Sequence, residues 1–482
     1  MKYILVAFYF IFFGSVFSQR EVDSILSAMD DDYKNFVEAE NKRFESFREK
    51  ENKEFALFLK SEWSEYTDFI QFDKPKSPPI PKDEVAPDAP SDDVEVVPSD
   101  KSKPVVQKDP DNSNEFDESD QEENVRFELS NTFELFGDEF EVGYTNDVTV
   151  KVAGVTSDAI SDYWSRMSNG YYSLLMSQIR KTSIANNFSD WQVFQFVRSI
   201  SSSFHTKESE QIALQFFVLN QLGYDVKMAI QNNAFILLLP IEQKVYGKYC
   251  LEIDRKRYYL WSNSNKPVQT IQEKFNANSN PINLLAQQVS FEQGSEISRV
   301  LKLPTGQGVL FKINKAYIDY LKDFPQCELA VHFNTPLTSQ LKKDVHRYFD
   351  PLLENKSELE KANFLLKVMH QSFKYKTDDD QFGEEKWFFP EESIFYPYSD
   401  CEDRSVMYAR LIKELTSLEI IGLSYDDHIA TAIKLNKPIG DCIDYNGEIY
   451  SVFDPSYINA QGGMSMSNYK SVRPEVIEVL FK

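Results

Sequence analysis

The 482-residue chain carries 76 acidic against 52 basic residues, a formal net charge of −24 with a pI near 4.8. A surface of that sign repels phosphate backbones, which argues against nucleic acid and anionic lipid as partners. The length exceeds one ordinary domain and implies two or three, and four cysteines in so long a chain do not make a disulfide scaffold.

The N-terminus places one lysine, Lys2, before the apolar run Ile4–Phe13 and the small residues around Gly14, Ser15 and Ser18. That pattern predicts a secretory signal peptide over residues 1–18 rather than a membrane span, because the run falls short of about 20 residues. No cysteine follows the run to take a lipid anchor, and no later segment is apolar enough to cross a bilayer. The mature protein is therefore expected to be exported, periplasmic or extracellular.

Residues 19–72 read as a helical segment. Val22, Leu26, Met29, Tyr33 and Phe36 recur at three- and four-residue steps, and Phe44, Phe47, Phe55 and Phe58 continue the stripe. Such a stripe needs a partner, either the body of the protein or a second copy, with the body favoured. Residues 73–123 form an acidic linker that holds nine of the 21 prolines, with 15 acidic and 4 basic residues from Lys82 to Glu123. This composition cannot bury enough apolar area to offset its ordering entropy, so no fixed structure is expected there.

From about Val125 the chain becomes globular and aromatic-rich, and it divides into 124–328 and 329–482. In the second part, Asp400–Leu415 is a helix pattern with Val406, Ala409, Leu411 and Ile412 inward and Ser399 or Asp400 as N-cap. Cys401 thus falls in the first turn, where the helix dipole and free N–H groups favour a thiolate and can hold an oxyanion. Glu402 and Asp403 oppose that effect unless they point away or pair with Arg404 or Arg410. His428 opens the strand pattern Ile429–Leu435, and Asp454 ends the strand Glu448–Phe453 that follows the Asn446-Gly447 turn. Neighbouring strand ends can bring Asp454 to the imidazole, fixing its tautomer, so the histidine can take and return the thiol proton.

A helix-opening cysteine with an acid two positions on, a strand-opening histidine and a closing Asp-Pro-Ser (here Cys401 with Asp403, His428, and Asp454-Pro455-Ser456) resembles the transglutaminase-like superfamily of papain-like enzymes. The resemblance covers about 329–460. It implies an α+β lobe with the cysteine helix packed on an antiparallel sheet. It also implies an acyl-transfer or amide-hydrolysis activity on peptide or protein amides, with Cys401 as nucleophile, His428 as acid/base and Asp454 as its orienter. Water is the favoured acceptor. The alternative is a catalytically inactive binding or scaffold protein that keeps the fold.

A fainter repeat lies upstream. At an offset of 192, Ser209 falls on Cys401, Cys250 on Cys442, Tyr258 on Tyr450 and Ser262 on Asp454. Phe196–Phe204 parallels Leu365–Phe373, with the same Ser-Phe ending, and Thr156-Ser157 parallels Thr338-Ser339. The first lobe is then a degenerate copy. It has serine where the second has cysteine and aspartate, and no histidine between His205 and His332.

No cofactor is called for. The remaining histidines, His205, His332, His346 and His370, show no metal-ligand spacing, and phosphate-loop, dinucleotide and Gly-x-Ser-x-Gly patterns are absent from the sequence. Cys250, Cys327 and Cys442 can hold one disulfide or remain buried thiols. Trp387-Phe388-Phe389 and Phe395-Tyr396-Pro397-Tyr398 lead into Cys401, either as the wall of an acyl-binding cleft or as core.

Overall fold

The computed structural model describes residues 46–61, 63–73, 96–98, 129–272, 274–276, 278–285, 291 and 294–480. The signal peptide, the stripe up to Phe44 and most of the acidic linker lie outside the described residues. Within them the protein is α+β, with antiparallel main sheets.

Two halves follow one plan. The first opens with the hairpin Leu129–Leu135/Asp138–Tyr144, continues through helices Ser157–Ser168, Tyr172–Ala185, Asp190–Phe204 and Glu208–Gln221, and closes with five strands. These are Lys227–Gln231, Ala234–Leu239, Tyr249–Ile253, Lys256–Leu260 and Val268–Thr270. The second opens with the hairpin Glu296–Lys302/Gly308–Asn314. Helices Ser339–Leu353, Glu358–Ser372 and Cys401–Leu415 follow, with shorter helices between them. Its five strands are Glu419–Ser424, Ile429–Lys434, Cys442–Tyr445, Glu448–Phe453 and Glu475–Glu478.

Numbered within each half, the strands stand side by side in the order fifth, first, second, fourth, third, in both sheets. The register agrees as well. Cys250 faces Tyr259 and Leu251 faces Tyr258, and Cys442 faces Ser451 and Ile443 faces Tyr450. Helix starts match too: Ser189 with Gln192 and Ser357 with Glu360 form capping boxes. The side chains of Thr156 and Thr338 each accept a backbone N–H three residues on. Asn446 and Gly447 both hold positive φ, the conformation a two-residue hairpin turn demands.

The helical reading of 19–72 holds for 46–59 and fails beyond it. Ser64–Tyr66 and Ile70–Gln71 are strands that pair on Val268–Thr270 and Tyr249–Ile253, so the segment covers both edges of the first sheet. The helix packs on the body through Phe55, Ala56 and Leu59, while Phe47 and Phe58 face solvent. Phe55 meets Trp164 edge-on at 4.7 Å, and Asn52 accepts from Trp164 Nε1. Each large apolar side chain buried in this way contributes about 1.5–3 kcal/mol. The linker is also corrected in one place. Val96–Pro98 add a strand to Glu296–Lys302, because that strand offers an unpaired edge opposite Gly308–Asn314.

One apolar core runs through both halves, from Phe55 and Trp164 to Cys401 and Phe453. The helix Cys401–Leu415 lies at the centre of the second half, and its residues from Cys401 to Ile412 are buried on every side.

Candidate functional site

The cysteine helix and the histidine strand are fastened to each other at Ile429. The Ile429 N–H reaches the Cys401 sulfur, and its carbonyl accepts from Ser405 Oγ at 3.0 Å. His428 therefore stands one residue from the sulfur's backbone neighbour. Ile429–Lys434 pairs directly with Glu448–Phe453, with Thr431 facing Phe453, which brings the end of one strand to the start of the other. Asp454 consequently meets His428, with Nε2···Oδ2 at 2.9 Å. The other carboxylate oxygen, Oδ1, accepts from the N–H groups of Ser456 and Tyr457 at 2.9 and 3.1 Å. His370 Nε2 holds the Asp454 carbonyl at 3.2 Å. Asp454 is thus fixed on three sides, and the His428 ring is stacked on Tyr469 at 4.8 Å.

The segment carrying Tyr469 is pinned at a glycine crossing. Gly440 and Gly463 both adopt positive φ, and a Cβ on Gly440 would lie 2.0 Å from the Gly463 carbonyl oxygen. Tyr469 in turn donates its hydroxyl to Asp427 at 3.0 Å.

Charge in this pair runs in opposite, complementary directions. Burial pulls the His428 pKa down, but the Asp454 carboxylate and its hydrogen bond more than reverse that, and the net shift is upward. Burial pushes Asp454 up, while imidazolium and the two backbone N–H donors bring it below the usual carboxylate range. With Nε2 engaged by Asp454, Nδ1 is the nitrogen left to exchange a proton.

The thiol departs from expectation. Cys401 is 2% exposed, and its sulfur donates to Glu402 Oε2 at 2.9 Å rather than bonding the imidazole. Burial, then Glu402 and Asp400, push its pKa well above the ordinary thiol value, and the Ile429 N–H only partly opposes this. The helix start favours a thiolate, but in this conformation burial first, and then the acids beside it, outweigh that effect. Arg404 acts on Asp400 and Asp403 only through space, and its guanidinium donates to Ser399 Oγ at 3.4 Å and to the Phe373 carbonyl at 2.5 Å.

Burial settles the first aromatic run, while Phe395, Tyr396 and Tyr398 of the second are half-buried and Pro397 is exposed. Trp387, Phe388 and Phe389 are core, with exposures of 4, 0 and 2%. All four cysteines are free thiols, with Cys442 alone exposed. Exposure leaves Cys442, not Cys401, as the thiol expected to react first with a simple alkylating reagent.

Two features were not legible in the sequence. Cys327 Sγ lies 3.9 Å from His332 Nε2, a second cysteine–histidine contact. It sits in the core with no carboxylate behind it. Burial depresses His332 to about 3, and its Nδ1 faces the Phe388 carbonyl, so the pair is neutral and structural. The second feature is a group of buried acids around Cys401: Asp378, Asp400, Glu402 and Asp403, with Glu385 beside them. They converge from residues 378 to 403 only through folding.

By the 192-residue offset the place of Cys401 falls on Ser209, the second residue of the helix Glu208–Gln221. The shared strand register equates Ala432/Val452 with Leu238/Leu260, which puts Ala234 at the position of His428 and Ser262 at that of Asp454. Ser262 Oγ donates to Gln231 there. Neither a histidine nor an aspartate stands at the places of His428 and Asp454.

Among the described residues no helix is long and apolar enough to cross a membrane. No protein-family model, curated protein or solved structure matches the chain.

Proposed function

We propose that the protein is an exported, transglutaminase-like amide hydrolase or acyltransferase, acting on peptide or protein amides through Cys401, His428 and Asp454. The observation that carries this reading is the buried 2.9 Å His428–Asp454 pair, set beside a cysteine at the first position of a 15-residue helix. Export rests on the N-terminal residues 1–18.

In the proposed cycle, the approaching carbonyl draws the thiol from Glu402, and neutral His428 takes the proton at Nδ1. The sulfur bonds to the carbonyl carbon, and N–H groups of the helix's first turn stabilise the oxyanion. Collapse breaks the C–N bond, the amine leaves with the proton from His428, and an acyl thioester remains on Cys401. Water then adds with His428 as base, the C–S bond breaks, and the thiolate regains its proton. An amine in place of water gives transamidation. The buried pair keeps imidazole aligned through both halves, as the aspartate does in other triads.

A second reading has its own support. The sulfur bonds Glu402 and not imidazole, and Cys401 is almost fully enclosed. A binding or scaffold protein that retains the fold would look the same. Amine release from a panel of peptide amides separates the two. Release by the native protein that vanishes in Cys401→Ala and His428→Ala supports the enzyme. Equal background in all three supports the scaffold.

A further inference from the structure

The edge strand Cys442–Tyr445 of the second sheet is open, while its counterpart in the first sheet is covered. Each belongs to a hairpin with a two-residue turn of positive φ, Asn446-Gly447 in one and Asp254-Arg255 in the other. Tyr445 faces Glu448 and Ile253 faces Lys256 across those turns. Alternation along such a ladder turns the backbone groups of Cys442 and Asp444 outward, and likewise those of Cys250 and Glu252. The bond from the Val452 N–H to the Asp441 carbonyl at 2.9 Å fits that phase. In the first sheet the outward groups meet a strand of the same chain, with Ile70 opposite Cys250 and Gln71 opposite Tyr249. In the second, no strand stands opposite Cys442 or Asp444 on that side among the described residues.

The opposite edge of the second sheet is tied down. Asn334 donates to the Glu478 carbonyl at 2.8 Å and accepts from the Leu480 N–H at 2.7 Å. The sheet curls until Tyr445 donates its hydroxyl to Glu478 at 2.6 Å, and a cleft of about 670 Å³ opens beside Cys442–Tyr445. Half-buried Ile443, Tyr445 and Val476 give it apolar surface. Lys470 and Arg473 give it positive charge. Lys470 is shared with Asp441 at 3.3 Å, whereas Arg473 is exposed and pairs with no acid among the described residues. Asp444 bends back to accept the Gly447 N–H at 3.2 Å.

We propose that this cleft binds an extended peptide segment of a partner protein as an added strand on Cys442–Tyr445, apolar at alternate positions and acidic between them. An unpaired edge offers main-chain hydrogen bonds to any extended chain, and the side chains around it choose among candidates. Alternation follows from the two faces of a strand, one of which meets Ile443 and Tyr445. The acid follows from Arg473, whose charge acts locally because salt of about 0.15 M screens beyond about 8 Å. A second copy of this chain fits less well. A four-residue edge supplies little of the roughly 1,200 Å² that a stable interface buries, and each copy carries a charge of −24. Binding stands apart from the reaction proposed at Cys401 and is read without turnover.

The probe is a short fluorescein-labelled peptide of alternating valine and glutamate, titrated with the full chain by fluorescence anisotropy in salt of about 0.15 M. One saturable site with a dissociation constant of about 100 μM or tighter is expected, unchanged in Cys401→Ala. Lysine in place of glutamate in the probe, or Arg473→Glu in the protein, should weaken binding at least about tenfold. N-methylation at alternate residues removes one row of the probe's N–H groups. Of the two probes so made, the one methylated on the row facing Cys442 and Asp444 should lose binding and the other should keep it. Cys442 locates the site, because it is the exposed thiol. Saturating probe should slow its alkylation in proportion to occupancy, a readout that needs no variant to fold. The proposal is overturned if no saturable site appears, if the lysine probe binds as well, if both methylated probes bind alike, or if Cys442 alkylates at an unchanged rate. It also falls if the native chain sediments as a dimer with Cys442 already protected, which would make a second copy the occupant.

Discussion

The two halves of this protein share a plan of hairpin, helices and five strands, a strand order and a hairpin register, yet they differ at the three places where chemistry is proposed. Cys401, His428 and Asp454 in the second half stand where the first has Ser209, Ala234 and Ser262. The comparison separates what the scaffold needs from what a reaction needs. Helix caps, turn residues and inward apolar positions recur in both halves because each must fold. The His428–Asp454 pair has no counterpart at the matching places of the first half, whose buried His205–Glu210 contact at 3.6 Å lies at a helix start instead. The first half uses its sheet differently. Both of its edges are covered by strands from residues 64–71, and its interior is filled by Trp164, Trp191 and their ring neighbours. It shares the strand order of the second half, lacks histidine and aspartate at the matching places, and packs with the second half in one apolar core.

The largest difference between the halves should appear when each nucleophile position is removed. Cys401→Ala is expected to abolish amine release, because no other group can carry the acyl chain. Ser209→Ala should leave both activity and stability within about 0.5 kcal/mol of native. Steady-state rates and a denaturant titration measure this, and an activity loss in Ser209→Ala would break the division of labour.

Next in size is the histidine. His428→Ala should lower kcat/KM by about 10²–10⁴-fold, the usual contribution of a positioned acid/base. Because neutral His428 acts as the base and its folded pKa lies above the ordinary value of about 6.5, kcat/KM should rise with pH through a midpoint above that value. Asp454→Asn removes the charge that holds the imidazole up, so the midpoint should fall. A profile unmoved by Asp454→Asn would show that the pair does not control the base.

The same pair bears on stability, with a defined sign. His428 is raised on folding, so its contribution is complete below about pH 6.5 and fades as pH rises through the folded value. Asp454 is lowered, so its contribution is complete above about pH 3.8 and fades as pH falls through its folded value. Thermal midpoints should show a gain between about pH 4 and 6.5 that His428→Ala lacks. Removing one partner leaves a buried unpaired charge, which costs roughly 3–5 kcal/mol.

A smaller effect concerns the segment over the histidine. Gly463 holds φ +84°, and a Cβ there would lie 2.7 Å from the Ile439 carbonyl oxygen. Gly463→Ala should destabilise by about 1–3 kcal/mol and loosen Tyr469 from the His428 ring. The smallest effect expected is at Glu402. Glu402→Gln removes the carboxylate charge that accepts the thiol's hydrogen bond, so the Cys401 pKa should fall and its alkylation should speed up relative to Cys442.

Much of this was legible in the residues themselves. The cysteine helix, the strands around His428 and Asp454 and the Asn446-Gly447 turn follow from local patterns of capping, apolar spacing and turn chemistry. The His428–Asp454 contact followed because adjacent strands leave few places for their ends. Other features depend on folding at long range. Helical periodicity ran on past residue 59, but open sheet edges captured Ser64–Tyr66 and Ile70–Gln71. A single strand edge likewise captured Val96–Pro98 from an acidic, proline-rich stretch. The state of the thiol was not readable, because it turns on whether Glu402 faces the sulfur or away from it. The carboxylate cluster joins residues from 378 to 403 that no spacing rule connects.

Acyl capture on the nucleophile tests the central claim most directly. The native protein, mixed with a series of activated acyl donors and quenched in acid, would be analysed by intact mass and peptide mapping. The account predicts one acyl group on Cys401, slowed by about 10²–10⁴-fold in His428→Ala and unaffected by Ser209→Ala. Acylation confined to the exposed Cys442, or equal at Cys401 with and without His428, would contradict it.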